Sequence, residues 1–328
     1  MSVQFDEVWP NSGVDAAAKA MIVPFGGSNV VRISASSGLR LFPERPIVGI
    51  KELDSRALAM DKLLVYSVPT LIMAAGDPGS AAALQLKMAA VIDQQLASRF
   101  FTMSGKAFGS TKVFAVKGAK AGPEDPSLQV AVLKKKTVKL SIRPVFVSRD
   151  KQGNPIFHCE KNFDTKVLLD RINAIWTPQT NIVFKLTSSD PAPMDDEVAI
   201  AKALGGPSAR AALPKVVPFA VFKDMFKKLR DKETPKPNFT IFLVHQISGD
   251  LGNVYGKSDV PGGFALVSDD GRDEDMKAMA HEIGHLLGGA DTNLLGDKNE
   301  DLLMCQGDGD GKKIPFEDTT KIFNKNDE

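Results

Sequence analysis

The chain has 328 residues, 43% of them hydrophobic and 25% charged, with a formal net charge of +1. That length passes the size at which a single core keeps growing, so two domains are expected in an otherwise ordinary globular composition. Near-neutral charge excludes a bulk-electrostatic nucleic-acid or anionic-membrane binder, and no apolar run is long enough for a membrane-spanning helix.

The opening segment MSVQFDEVWPNSGVD has no basic start followed by an apolar core, so it does not read as a secretory signal. A cytoplasmic location, export by a signal-independent route, or a leader missing from this sequence are the expectations. Residues 20–75 carry short apolar runs (MIVPFGG, NVVRISASSG, RPIVGI, KLLVYSVPTLIMAAGDPG) cut by Gly, Pro, Asn and Ser, the pattern of strands and turns. From about Ser80 to Phe101, Leu84, Met88, Val91, Ile92 and Leu96 recur at three- and four-residue spacings, which predicts a helix. KVFAVKG and LQVAVL read as strands again. Residues 1–135 are therefore expected to form a mostly-β domain with one inserted helix, a small sandwich of possible immunoglobulin-like kind. Gly118, Gly122, Pro123 and Pro126, followed by Lys134–Lys136, place the boundary between 118 and 136.

Residues 136–328 read differently. TVKLSIRPVFVSRD is a long alternating strand that ends in the turn KQGN. Asp164 caps a helix with Val167, Leu168, Ile172, Ile175 and Trp176 on its inner face, stopped by Thr177-Pro178. NIVFKLTS is a strand, Val217–Arg230 a helix, and FTIFLVHQI a buried strand. GGFALVS, residues 262–268, reads either as the strand edging a cleft, where an extended peptide would add, or as an ordinary buried strand. Asp273 and Glu274 open a further helix, and a last one runs from about Phe316 to Asn324. The order predicts an α/β (α+β) domain.

The helix after Asp273 carries His281-Glu282-Ile283-Gly284-His285. Residues four apart lie one turn above each other, so the two imidazoles present to one point. Zinc accepts imidazole nitrogen and keeps an open position for water in a catalytic site, and Glu282 stands close enough to take a proton from that water. Met276, Met279, Ile283, Leu286 and Leu287 recur at helical spacing and would pack beneath. The chain has four histidines in all, so two of them in this pattern argue against a plain core helix. Gly288 follows His285 by three residues and can end the helix, and Asp291 follows by three more, placed to bring a carboxylate to the same metal. Asp297, Glu300 and Asp301 are rival carboxylates in the next loop. Leu302-Leu303-Met304-Cys305-Gln306-Gly307 then sets a methionine just before a glycine.

These residues resemble the metzincin clan of zinc peptidases: His281, Glu282, His285, Gly288, Asp291 and Met304 match its extended motif and its methionine turn. Most metzincins have a third histidine where this chain has Asp291, and the snapalysins are similar in using aspartate there. The resemblance implies a zinc endopeptidase with His281, His285 and Asp291 as metal ligands, Glu282 as general base, and Gly288 and Met304 supporting the site. It implies a protein or peptide substrate and Zn²⁺ as cofactor. The only tyrosines are Tyr66 and Tyr255, and neither stands near Met304 in sequence, where some families place a tyrosine. Two other readings stand beside it: a binding or toxin-delivery protein that uses the zinc fold as scaffold, and a zinc hydrolase of a non-peptide substrate.

Several remaining features take plainer readings. His245 reads as a structural histidine rather than a fourth ligand, and Cys159, next to His158, as a free thiol rather than a metal-blocking latency device. Asp308-Gly309-Asp310-Gly311 lacks the ligand alternation of an EF-hand and reads as a tight turn.

Overall fold

The computed structural model describes residues 3–7, 13–34, 39–54, 98–160, 164–206, 212–249, 252–269, 277–291, 302–304 and 312–325. The architecture is mixed α/β, mostly sheet with few helices, and it divides into two compact units, Met1–Lys135 and Lys136–Glu328. No described helix is long and apolar enough to cross a membrane.

In the first unit the strands are β1 (Gln4–Glu7), β2 (Val14–Asp15), β3 (Ala20–Pro24), β4 (Ser28–Ser34), β5 (Arg40–Pro43), β6 (Val48–Leu53), β7 (Arg99–Gly105), β8 (Gly109–Val116) and β9 (Ser127–Leu133). They form one sheet in the order β1-β4-β7-β6 and a second in the order β2-β3-β9-β8-β5. Alternate side chains of both sheets meet in one core, with Phe5, Ile33 and Met103 from the first and Met21, Val113 and Val130 from the second. The helix expected up to Phe101 lies outside the described residues over 80–97, and its last residues are strand. Arg99–Phe101 begin β7, which pairs on both sides with β4 and β6 and buries Phe101 and Met103 by period-two alternation. Hydrogen bonding from two neighbours overrides the local helical spacing.

The second unit continues with β10 (Lys136–Arg149), β11 (Pro155–Phe157), α1 (Thr165–Thr180), β12 (Ile182–Ser188), β13 (Ala192–Pro193), α2 (Glu197–Ala203) and β14 (Val216–Pro218). Then follow α3 (Phe219–Asp231), β15 (Phe239–Val244), β16 (Gln246–Gly249), β17 (Gly252–Val254), β18 (Gly256–Asp259), β19 (Phe264–Ser268), α4 (Lys277–Leu286) and α5 (Phe316–Lys325). The main sheet runs β11-β10-β15-β19-β18, with β12 and β13 also pairing β10. Strands β12, β10, β15 and β19 pair in parallel, and β18 is antiparallel at the edge.

Helices cover both faces of this sheet. Ile241, Leu243, Ala265 and Val267 point to the side of α1 and α4, among Ile172, Trp176, Met279 and Ile283. Phe242, Val244, Phe264 and Leu266 point to the other side, among Phe222 and Phe226 of α3. Burial on two faces is why FTIFLV is continuously apolar rather than alternating.

Three local expectations change, and one open alternative is settled. First, α1 runs through Pro178 to Thr180 and ends where Asn181 takes a left-handed conformation at φ 56°, because a proline in the last turn forfeits one hydrogen bond without unwinding the helix. Second, Val167 on α1 is 44% exposed and faces away from the core, while Leu168, Ile172, Ile175 and Trp176 are buried as the spacing requires. Third, the helix expected from Val217 begins at Phe219, since Val216–Pro218 pair with β16 as a strand. Of the two readings of residues 262–268, the buried strand is the one observed: β19 is interior, flanked by β15 and β18, so the sheet edge on the side of α4 is β18.

Candidate metal centre

The site is assembled at the C-terminal end of α4 by the way that helix stops. Gly288 has φ +97°, a conformation that L side chains rarely adopt. It lets Gly289 N–H reach back to Gly284 O at 2.8 Å while Gly288 N–H bonds His285 O at 2.8 Å, the paired bonds of a Schellman ending. The reversal brings Asp291 back over the face that carries the histidines.

There the His281 and His285 rings stand edge-on with centroids 4.8 Å apart. Their Nε2 atoms are 3.1 Å from each other, and Asp291 Oδ1 lies 3.2 Å from each. Each ring uses its other nitrogen on a backbone carbonyl: His281 Nδ1 meets Leu303 O at 2.8 Å, and His285 Nδ1 meets Gly289 O at 3.1 Å. A carbonyl only accepts, so each Nδ1 carries the hydrogen, and in a neutral ring Nε2 is left as a lone pair. Two lone pairs and a carboxylate oxygen at these separations repel one another unless a cation lies among them. Zinc with tetrahedral bonds of about 2.0–2.1 Å sets neighbouring ligand atoms about 3.3 Å apart, close to the triangle observed. Burial holds His281 below its ordinary value and so favours the neutral form that a metal takes, while the bond to Leu303 O works in the opposite direction. Among the described residues, this is the one group of three such side chains with convergent ligand atoms. Asp297, Glu300, Asp301, Cys305 and Asp308–Gly311 lie outside the described residues.

Glu282 sits next to this triangle and is only 6% exposed. Burial pushes its carboxyl up to about 8; the Ser258 hydroxyl works in the opposite direction, and the Asp291 charge adds to the rise. Its Oε2 is buried without a hydrogen-bond partner among the described residues. A dication beside it would favour the ionised form.

Met304 lies beneath the helix. It is 1% exposed, and a Cβ at position 284 would fall 3.0 Å from its Cε and nearer still to its Sδ. The preceding residue, Leu303, supplies the carbonyl that orients His281, and its own N–H bonds Lys313 O at 2.8 Å. Buried Gln179 of α1 fixes that neighbouring segment: its Nε2 donates to Lys312 O at 2.8 Å, and its Oε1 accepts from Ile314 N–H at 2.7 Å. Sequence reasoning missed Leu303 O and Gln179. A backbone carbonyl and an amide inside a helix have no spacing that marks them.

The other two histidines meet in a separate cluster. His245 Nδ1 lies 2.7 Å from Asp269 Oδ1, at the C-terminal ends of β15 and β19. The His245 backbone N–H donates to His158 Nδ1 at 2.8 Å, and His158 Nε2 meets Pro214 O at 2.9 Å. Burial lowers His158, with the Pro214 carbonyl opposing. Cys159 is a free thiol, and burial pushes it far up, so it is no ready thiolate.

No family model and no curated protein sequence matches this chain. The surface layer protein SbsC, domains 1–6, aligns with a TM-score of 0.22 and 10% identity over 48% of this chain and 17% of that one. SbsC domains 5–6 align with a TM-score of 0.22 and 11% identity over 47% of this chain and 64% of that one. A Bacteroides ovatus GH5 xyloglucanase in complex with a XXXG heptasaccharide aligns with a TM-score of 0.21 and 9% identity over 98% of this chain and 60% of that one. The chain thus spans less than two thirds of the length of each of these structures, and at such TM-scores none of them bears on fold or activity.

Proposed function

We propose that the second unit is a zinc-dependent endopeptidase of metzincin type, with Asp291 as its third protein ligand in the manner of the snapalysins. The observation that carries this reading is the convergence of His281 Nε2, His285 Nε2 and Asp291 Oδ1 at 3.1–3.2 Å, with both Nδ1 atoms already committed to carbonyls. A buried Glu282 oxygen without a partner beside that triangle supports hydrolysis over a structural metal site. The first unit, two sheets on one core, is then an immunoglobulin-like sandwich serving targeting, substrate docking or latency.

Zinc, when bound, would acidify a coordinated water and polarise the scissile carbonyl. The chain's own residues do the rest. His281 and His285 hold their Nε2 lone pairs in place through the Nδ1 bonds, and Asp291 supplies the anionic third contact. Glu282 Oε2 takes a proton from the attacking water and later returns it to the departing amine nitrogen. Burial of Glu282 keeps bulk water from competing for that proton. An extended peptide adding to the outer edge of β18 would lie beside the strand whose Gly256 packs on Glu282.

Digestion of a casein or peptide library, with and without a chelator, tests the proposal. Cleavage that the chelator abolishes and zinc restores is the expected result. Stoichiometric zinc with no cleavage of any substrate in the panel would overturn it in favour of a scaffold.

A further inference from the structure

Phe25 and Phe108 are 44% and 51% exposed, the two large apolar side chains left open among the described residues of the first unit. They come from different turns, β3–β4 and β7–β8, yet they touch, with ring centroids 5.2 Å apart and planes at 72°. Single apolar side chains on a surface are ordinary, whereas two brought together by separate turns form a patch. The backbone holds them there. Phe25 N–H bonds Leu133 O at 2.9 Å, Gly26 N–H bonds Gly105 O at 3.0 Å, and Gly105 N–H bonds Gly27 O at 3.1 Å. A Cβ on Gly105 would fall 2.5 Å from Pro24 O and 3.2 Å from Phe25 Cα, so only glycine lets β7 close on this turn.

Positive charge gathers round the pair. Lys134 Nζ stands 4.2 Å from the Phe108 ring centroid. Lys106 shares the turn of Phe108, Lys135 follows Lys134, and both are exposed. Arg45 is exposed too, and its Nη1 reaches Ser110 O at 3.2 Å. Glu44 is the one acid in these turns, and none of the three lysines has an ion pair among the described residues. The whole chain carries +1, so this is a local excess that net charge conceals.

We propose that this end of the first unit docks on an anionic lipid surface, the phenylalanines entering the headgroup layer and the lysines reaching its anionic groups. A soluble polyanion would meet the same lysines but leave the phenylalanines in water. Rings crossed at 72°, one of them faced by Lys134, offer no flat platform on which bases stack. At a bilayer the same geometry is favourable, because lysine stems lie along apolar groups while their ammonium ends stay among the headgroups. Each lysine near such a surface is worth roughly fivefold in partitioning, and Lys106, Lys134 and Lys135 together roughly a hundredfold. That strength gives reversible docking rather than anchoring. The inference is independent of the peptidase reading and selects targeting among the roles proposed for the first unit.

Co-sedimentation of the full-length protein with phosphatidylcholine vesicles, made with and without phosphatidylserine, tests this. The native chain should bind the phosphatidylserine vesicles alone. It should release as salt rises from about 0.1 M to about 1 M, where the screening length falls from about 10 Å to about 3 Å. Lys134→Glu/Lys135→Glu should lower partitioning by roughly 25-fold or more. Phe25→Ala/Phe108→Ala should lower it by about tenfold while keeping the salt dependence. The control is Lys117→Glu/Lys120→Glu, an equal change of charge at exposed lysines past the other end of β8, whose eight residues span about 25 Å. It should bind as the native chain does. All these side chains are exposed, and a native urea midpoint in each variant shows that its fold is intact. No binding at low salt, equal binding to both vesicles, or equal loss in the control would overturn the proposal. Binding that Phe25→Ala/Phe108→Ala leaves unchanged would overturn it in favour of a soluble polyanion such as a nucleic acid.

Discussion

Replacing Gly284 with alanine measures how closely Met304 underlies the motif helix. In an unhindered helix interior the change is favourable by about 1 kcal/mol, because alanine loses less backbone freedom than glycine. Here the new methyl would stand 3.0 Å from Met304 Cε, nearer to its Sδ, and 3.5 Å from Trp176 Cζ2. Neither neighbour has free space: Met304 is 1% and Trp176 0% exposed, and the Trp176 ring is held by its Nε1–H to Ala280 O at 3.3 Å. Overpacking of this kind costs about 1–3 kcal/mol, so Gly284→Ala should be neutral to about 2 kcal/mol less stable. In a Met304→Ala background the methyl enters the vacated volume, and the same substitution should become stabilising by about 1 kcal/mol. The two changes should thus couple by about 1–3 kcal/mol. Urea denaturation of the four zinc-free full-length proteins measures this, each carrying Trp9→Phe so that Trp176 fluorescence reports the second unit alone. Additivity within about 0.5 kcal/mol would refute the packing of Met304 against Gly284.

Asp291→Ala should weaken zinc binding by more than the roughly 10- to 100-fold typical of losing an outer partner of a ligand, read by chelator competition; unchanged affinity would mean that the third ligand lies elsewhere. His158 sets a pH dependence of known sign. Its Nδ1 accepts from the His245 N–H, so the folded chain resists protonating it, and burial holds it below the ordinary value of 6.5. The unfolded chain therefore binds the extra proton, and the stability contributed by neutral His158 is complete above about pH 6.5 and declines as pH falls toward the lowered folded value, by at most about 1.4 kcal/mol per unit. Urea midpoints of the zinc-free protein between pH 5 and 6.5 should fall less steeply in His158→Gln than in the native chain, and equal slopes would contradict the assignment.

The residues that converge on the site were legible where chemistry forces a fixed spacing. Two imidazoles one helical turn apart, a glycine that must take positive φ, and an aspartate three residues on leave a mark that a linear reading detects. Strand placement in the sheet was not legible. GGFALVS carries the same apolar pattern whether it lies at an edge or inside, and the difference rests on Gly256–Asp259, too short and polar to stand out. The end of α1 was misjudged because Pro178 lies in its last turn, where the loss of one hydrogen bond does not keep the helix from closing at Thr180. Positioning groups were the least visible. Leu303 acts through its carbonyl and Gln179 through both ends of an amide, so neither announces its role by type or period.

Everything proposed for the second unit turns on Glu282 acting on a water beside a bound metal. The most direct measurement is the zinc content and peptide-cleaving activity of Glu282→Gln, purified and metal-loaded beside the native chain. Glutamine keeps the shape and removes the proposed base, so the variant should retain one zinc per chain on the proposed ligands His281, His285 and Asp291, and lose peptide cleavage by about a hundredfold or more. A variant that cleaves as fast as the native protein would contradict the account.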